Sequence, residues 1–579
     1  MIKRYLMLSL KILIGIVPKT IRDKLKRWPW LTSLYSRSLQ KSGLFYGIPT
    51  GKKLAGLYSV LIKKQNENLS LISKNKVVII NVVVWVNDNN VDFLNDTMEA
   101  CRKNSNIDKI YAITSNSFIK DKAKKISTNK NIVFALNITE LVSLKCCNFF
   151  MINSGDVIHS SLNGVLAGFL SPKDDLAYVD TDHINSSRIR NNPNLLPDWN
   201  PDLQMSTGYV NTGVWLNSLN FIFDNDSDTN SFTTIAEILA NFAFKGNDIK
   251  ILHIPMVLVH QKQTVRSLDD LFSVRYIDML QTKVVVERHV EFPIIKLKWP
   301  TTCQPFVSLI IPTKNGYSLV KSCIESIFRL TTYTNYEILL VDNLSDDEKC
   351  LQYFEELNKD PRVRLIRYNQ EFNYSAINNF AVKHAKGDVI GLINNDIEVI
   401  EPEWLSYMVG HAIRPEIGCV GAKLLYSDHR VQHAGVVLGY GGGAGHAHKY
   451  FPADHPGYLN RLVATQNYSA VTAACLLVSK RDYIDVGGLD EENLKVAFND
   501  VDFCLKVRAL GRRNLYCAEA KLFHHESVSR GFDDTKKKRD RFESELRYLQ
   551  LSWKDLIECD PAYNPNLTLK RENFSIKEY

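Results

Sequence analysis

Five consecutive apolar residues, Val389 to Ile393, are followed at once by Asn394, Asn395, Asp396 and then Glu398, and this stretch constrains the fold more than any other. A short unbroken apolar run suits a strand buried on both faces of a parallel sheet, because a half-exposed strand would alternate. Such a strand delivers the residues after it to the carboxyl rim of the sheet, where open α/β folds bind ligands. A carboxylate held there among amides can carry a divalent cation and, through it, a diphosphate. A strand cap with a solvated Asp396 fits the same letters, so the surrounding pattern has to decide.

Around this strand, residues 304–535 read as one α/β domain. Val307–Pro312, Tyr336–Val341 and Val363–Arg367 are strand-like, and Tyr317–Leu330 and Tyr374–Lys386 carry helical spacing. This βαβαβ order, with polar residues after each strand, predicts a nucleotide-binding half-sheet. The first strand-to-helix turn lacks G-x-G-x-x-G, which disfavours a dinucleotide site. Further on, Phe503, Val507 and Leu510 share a helical face stopped by Gly511, which puts Asp500 at the helix start. Amide dipoles stabilise a carboxylate there, and an N-cap role explains a lone aspartate equally well. The strand-like Leu515–Leu522 runs into Phe523, His524 and His525. A glycine cluster, Gly439 to Gly445, is flanked by His429, His433, His446 and His448. Without a cysteine partner these make a poor zinc cage, and a mobile loop covering substrate is expected instead. Residues 536–579 read as a charged helical tail.

Residues 76–262 repeat the alternation, with strand-like runs at Val77–Val86, Ile110–Thr114, Ile132–Ala135, Asn148–Asn153 and Leu176–Asp180, implying a second parallel sheet. The fourth run ends Asn153-Ser-Gly-Asp156, and the fifth ends Asp180-Thr-Asp182-His183, which has the look of a metal site or of a polar turn. Pro197 to Asp202 is a rigid, turn-rich segment. Periodicity fades over residues 263–303, which therefore read as a linker.

The net charge of +8 is concentrated at one end: residues 1–75 hold 15 Lys and Arg against 2 Asp and Glu. Tyr5–Val17 is too short to span a bilayer, and Lys11 interrupts it as a signal-peptide core. Basic residues beside Trp28 and Trp30 suit a helix lying on an anionic leaflet, so peripheral membrane contact through residues 1–30 is expected, with a helix docked on its own domain as the alternative. No nucleic-acid-binding motif accompanies the charge. Eleven cysteines without a C-x-x-C pair fit a reducing cytosol.

Ser308-Leu-Ile-Ile-Pro-Thr-Lys-Asn, Val341-Asp-Asn-Leu-Ser-Asp-Asp, Asn394-Asn-Asp396, Gly487-Gly-Leu-Asp, Asn499-Asp500-Val-Asp and His524-His-Glu-Ser follow one another over some 230 residues. In this order they resemble family 2 of the inverting nucleotide-sugar glycosyltransferases, a GT-A fold, and most of all the bacterial enzymes that build surface polysaccharide such as O-antigen. The tail Asp560-Pro-Ala-Tyr-Asn-Pro-Asn-Leu is similar to theirs. The resemblance implies an α/β protein of two tandem GT-A-like domains, the first a degenerate copy. It implies donor contacts from Pro312, Thr313, Asn315, Asp342, Asn343, Asn394, Asn395 and Asp396, with Asp342 at the nucleotide base. Asp396 would hold Mg2+ or Mn2+, helped by His524 or His525; Asp500 would be the general base; and Asn499, Asp502 and Gly488 would lie on the acceptor side. The implied partners are a nucleotide-sugar donor and a glycan or lipid-linked saccharide acceptor, met in the cytoplasm at the inner-membrane face. Two positions depart from the family pattern: D-x-D reads Asn394-Asn-Asp396, and the Glu-Asp pair reads Asn499-Asp500. The alternatives are a bifunctional polymerase with both domains active and a non-catalytic sugar-nucleotide-binding scaffold.

Overall fold

The computed structural model describes residues 49–71, 77–104, 106–127, 132–142, 148–185, 187–218, 232–246, 249–262, 267–301, 304–525 and 535–579, with isolated positions before residue 18. The expected membrane contact through residues 1–30 thus lies outside the described residues. Among those described, no helix is long and apolar enough to cross a membrane.

In the first domain β1 (Ile80–Val86), β2 (Ile107–Thr114), β3 (Ile132–Ala135), β4 (Phe149–Asn153), β5 (Val157–Ile158), β6 (Leu176–Ile184), β7 (Arg190–Asn194), β8 (Val214–Leu216) and β9 (Ile251–Gln261) form one sheet. Its order is β3-β2-β1-β4-β8-β6-β9-β5, with β7 pairing β6. A hairpin follows, β10 (Val285–Arg288) with β11 (Ile295–Lys298). The second domain has β12 (Val307–Thr313), β13 (Tyr336–Asp342), β14 (Val363–Arg367), β15 (Val389–Ile393), β16 (Ile397–Val399), β17 (Ile417–Leu425) and β18 (Val431–His433). The hairpin strands β19 (Val436–Leu438) and β20 (Ala444–His446), then β21 (Gln466–Tyr468), β22 (Cys475–Ser479) and β23 (Arg513–His524), complete it. The order is β14-β13-β12-β15-β22-β17-β23-β16, with β18 pairing β17. Strand for strand this is the path of the first sheet. The directions repeat as well: β15 meets β22 antiparallel as β4 meets β8, and β17 meets β23 parallel as β6 meets β9.

The sequence pattern accounts for the sheet's centre. Every residue of β15 is buried, and a Cβ on Gly391 would lie 2.7 Å from Leu309 and 2.9 Å from Leu477, so the central strand has no room for a side chain there. Apolar residues of β12, β13 and β15 point alternately into two cores, one on each face.

Three features depart from expectation. Residues 263–303 are not a structureless linker: helix Val274–Gln281 and the β10–β11 hairpin bury Tyr276, Ile277, Leu280, Ile295 and Leu297 in the core of the first domain. Spacing alone hid this, because each element is too short to show a period. The glycine cluster is pinned rather than mobile. Gln550, on helix Lys536–Ser552, donates to the Gly442 carbonyl at 2.7 Å, and a Cβ on Gly443 would come within 2.6 Å of Leu546. At position 443 glycine is required because that helix passes too close for a side chain. The C-terminal motif, finally, staples the domains together. Asp560 accepts from Leu438 N (2.8 Å) and Ser469 Oγ (2.5 Å) in the second domain, while Asn564 Nδ2 donates to Asp180 (2.9 Å) in the first.

The turn-rich segment Pro197–Asp202 is the other fastening. Asp202 is buried against Arg414 at 2.6 Å, and Asn200 and Asn467 exchange hydrogen bonds of 2.8 and 3.0 Å. Burial opposes the charge on Asp202, but Arg414 and Arg513 bring its pKa down to about 2.

Candidate active site

The rim beyond β15 gathers the predicted residues. Asp396 is 6% exposed, and its Oδ1 lies 3.1 Å from His524 Nε2. Register explains the meeting: β16 pairs with the end of β23, placing Ile397 opposite His524. His524 Nδ1 is 2.6 Å from Gln432 Oε1, so a neutral ring gives its proton to Gln432 and turns the Nε2 lone pair toward the carboxylate, with Asn394 Nδ2 also 3.2 Å away. A carboxylate oxygen and an imidazole lone pair 3.1 Å apart are spaced like neighbouring ligands of an octahedral cation with bonds of about 2.1 Å. These two residues therefore fit a divalent metal whose remaining positions a diphosphate and water would fill. Among the described residues, no group of three or more His, Cys, Asp or Glu side chains has metal-holding geometry.

Of the two histidines expected at the metal, the structure brings only His524 to the Asp396 carboxylate. The His525 ring turns to Glu398 (2.9 Å) and Ser427 (2.8 Å), and only its backbone amide touches Asp396, at the carbonyl. Adjacent residues at a strand end point to opposite sides, so one alone can face the site.

Asp500 lies in the first turn of helix Asn499–Ala509. Its Oδ2 accepts from Ala473 N at 3.1 Å and its Oδ1 from Val501 N at 2.9 Å. Burial raises its pKa above the usual carboxylate value against the pull of these donors. The next peptide joins Asp500 to the metal side: Ala474 O accepts from Asn394 N at 2.9 Å, and Tyr374 OH bridges Ala473 O (3.1 Å) and Asn394 Oδ1 (3.3 Å). The two acidic positions thus flank one segment, Thr472–Ala474. Sequence reasoning missed that segment and Gln432; neither carries a motif, and only strand pairing across the chain, β15 with β22 for the segment and β17 with β18 and β23 for Gln432, reveals them.

Among the residues expected at the donor, Asn395 Nδ2 donates to Thr313 Oγ1 (3.0 Å), and Asn343 N donates to Thr313 O (2.8 Å), tying the ends of β12, β13 and β15. Pro312 sits in β12 opposite Val341. Asn315, at φ 52°, caps the 346–347 turn through two 3.0 Å bonds to its Oδ1. Asp342 accepts from Ser345 N at 3.1 Å and is paired with Arg367. The three residues expected on the acceptor side are held by the protein itself. Asp502 grips Trp553 Nε1 (2.9 Å) and Lys506 (2.8 Å), Asn499 donates to Val496 O (3.3 Å), and Gly488 has φ +73° with Asn379 filling the place of a side chain.

The first domain holds a second set at the same topological places. Asp156 precedes β5 as Asp396 precedes β16, and His260 lies opposite Val157 as His524 lies opposite Ile397. Here the chemistry is tied up. Asp182, which had the look of a metal ligand, is fully buried among His260 Nδ1 (2.6 Å), Arg190 Nε (2.6 Å) and the hydroxyl of Tyr58 from helix Gly51–Leu71. Burial pushes the Asp156 carboxyl up to about 7. The helix matching Asn499–Ala509 is Ile235–Lys245, whose second residue is Ala236 where the other has Asp500.

Residues 308–483 match the model of glycosyl transferase family 2, and the sheet they build shares its strand order with the sheet of the first domain. The chain is 40% identical over 426 residues to the uncharacterized protein y4gI of Sinorhizobium fredii, covering 70% of this chain and 46% of that protein. It is 31% identical over 444 residues to the O-antigen biosynthesis protein RfbC of Myxococcus xanthus, covering 73% and 34%. The chain thus spans less than half the length of either relative. Among solved structures, the mannosyltransferase PcManGT of Pyrobaculum calidifontis in complex with GDP-Man and Mn2+ is 14% identical with a TM-score of 0.33, covering 45% of this chain and 72% of that one.

Proposed function

We propose that the second domain is an inverting glycosyltransferase acting in polysaccharide synthesis of the O-antigen type, with a nucleoside-diphosphate sugar as donor and a glycan or lipid-linked saccharide as acceptor. The observation that carries this is the pairing of Asp396–His524 with Asp500 across Thr472–Ala474. It is supported by the family match over residues 308–483 and by likeness to a protein of O-antigen biosynthesis.

Asp396 and His524 would hold Mg2+ or Mn2+, which supplies Lewis-acid stabilisation of the leaving diphosphate. Asp500 removes the proton of the acceptor hydroxyl, whose oxygen bonds to the anomeric carbon as the bond to the diphosphate breaks. The nucleoside diphosphate leaves with that electron pair. With one base and, among the described residues, no second carboxylate placed as nucleophile, the displacement is single and inverts the anomeric centre. A raised pKa suits Asp500 to this work, since general-base assistance grows as the base approaches the working pH and contributes about 10²–10⁴-fold. The first domain serves architecture or acceptor binding: it lacks the base, and its histidine is engaged with Asp182.

A panel of nucleotide sugars tests the reading. One donor is expected to be turned over with inversion, read as product anomer by NMR, and Asp500→Asn is expected to bind that donor while losing at least about 10² in kcat. Normal turnover by Asp500→Asn would remove the base assignment.

A further inference from the structure

We propose that His446 donates a hydrogen bond from its Nε2–H to an oxygen of the bound substrates, between Asp396 and Asp500, and that His433 is the positioning residue that fixes it for this. The proposal rests on the glycosyl-transfer reading and concerns a residue that reading leaves unused.

The tautomer follows from contacts. His433 Nε2 receives the amides of Gly435 (3.3 Å) and Thr472 (3.5 Å), so it carries the lone pair and the ring proton sits on Nδ1. That Nδ1 faces Nδ1 of His446 at 2.8 Å. Two ring nitrogens in contact need one proton between them. His433 supplies it, so His446 accepts there and keeps its own proton on Nε2. Burial pushes His433 down to about 3 and His446 well below the usual imidazole value. Both rings are therefore neutral near pH 7, and His446 is a hydrogen-bond donor rather than a proton shuttle.

Its position follows from neighbours on both sides. The consecutive amides of Thr472 and Ala473 go to His433 and Asp500 respectively. Gln432, adjoining His433, holds His524. Within the hairpin that presents His446, a Cβ on Gly443 would lie 3.5 Å from the ring of Phe498, two residues before Asp500. His446 is partly exposed as a residue, and no hydrogen bond to its Nε2 is made among the described residues. A neutral N–H donor so placed suits a sugar hydroxyl or a phosphate oxygen alike.

Long-range ¹H–¹⁵N spectra of the full chain labelled at histidine read the tautomer directly. His446 is expected as the neutral Nε2–H form between pH 6 and 8. Its signal is expected to move on adding nucleoside diphosphates with Mg2+ if the partner is a phosphate oxygen, or methyl hexosides if it is a sugar hydroxyl. An Nδ1–H or cationic His446, or a signal that neither probe moves, overturns the proposal. In turnover, His446→Phe should raise the KM of the matching substrate about two- to tenfold, and His446→Gln, which keeps an N–H, should recover part of that. An unchanged KM in His446→Phe also overturns it. If the wild-type chain transfers no sugar from any donor, the glycosyltransferase reading fails, while the tautomer and binding arms still decide the role of His446.

Discussion

The two sheets follow one path, yet they spend their buried charges differently. In the second domain Asp396 faces His524, and Asp500 flanks the same segment, whose backbone joins them. In the first, Asp156, His260, Asp180 and Asp182 stand at or beside the matching rim, and each is committed to a protein partner: Thr212, Asp182, Asn564 or Tyr58. The difference teaches that a carboxylate at a sheet's rim marks a site only when the neighbouring elements leave it open. In the first domain helix Gly51–Leu71 and the C-terminal motif close the rim, and the acidic residues there have become fastenings.

The largest expected effect separates the copies directly. Asp396→Asn should weaken Mn2+ binding in the presence of a nucleoside diphosphate by at least about tenfold, measured by calorimetry or by the electron spin resonance of the ion. Asp156→Asn should leave that binding unchanged, because Thr212 and Asn153 already donate to its Oδ2 and His260, at the place of His524, is turned to Asp182. Equal losses in the two variants would mean that both rims hold metal, and would revive a chain with two active domains.

A smaller effect tests the fastening role through pH. His253 donates from both ring nitrogens, to Asp180 and Asp198, each at 3.0 Å, so it is held as an imidazolium. Burial opposes the charge, but these carboxylates raise its pKa to about 9. The folded value lies above the unfolded one, near 6.5. The stabilisation is therefore complete below about pH 6.5 and is lost as pH rises through about 9. It amounts to at most about 3 kcal/mol. The melting temperature of the wild type should exceed that of His253→Gln most at pH 6, and the gap should close by about pH 10. A gap constant with pH would mean that the ring is neutral in the fold.

Much of this was legible from the letters. The central strand follows from the apolar run Val389–Ile393, whose observed ends coincide with those read from spacing, because a fully buried strand must be apolar throughout; the ends of Val363–Arg367, a partly exposed strand at the sheet's edge, coincide as well. Asp396 and Asp500 were legible because strand ends and helix starts are places where local rules put carboxylates. What stayed hidden depends on pairing across the chain. Val471–Ser479 reads as one strand, yet only Cys475–Ser479 is strand, and the residues before it carry the link to Asp500. Asp182 reads as part of a metal site or of a polar turn, because nothing near it in sequence announces Tyr58, which lies 124 residues earlier. The Asp180–Asn564 bond spans 384 residues and is equally invisible to spacing.

The smallest effect examines the closed rim itself. Tyr58 is 3% exposed, and its hydroxyl donates to Asp182, a carboxylate that Arg190 and His260 already hold at 2.6 Å. Tyr58→Phe removes one of three partners and leaves the ring packed beside Leu61 and Val257 in the shared core. Loss of a hydrogen bond to a buried charge costs about 1–3 kcal/mol, moderated here because two cationic or polar partners remain. A fall of a few degrees in melting temperature with unchanged kcat would confine this helix to architecture. A change in kcat at unchanged stability would instead show that the closed rim of one domain is felt at the open rim of the other, through the Asp560–Asn564 staple that touches both.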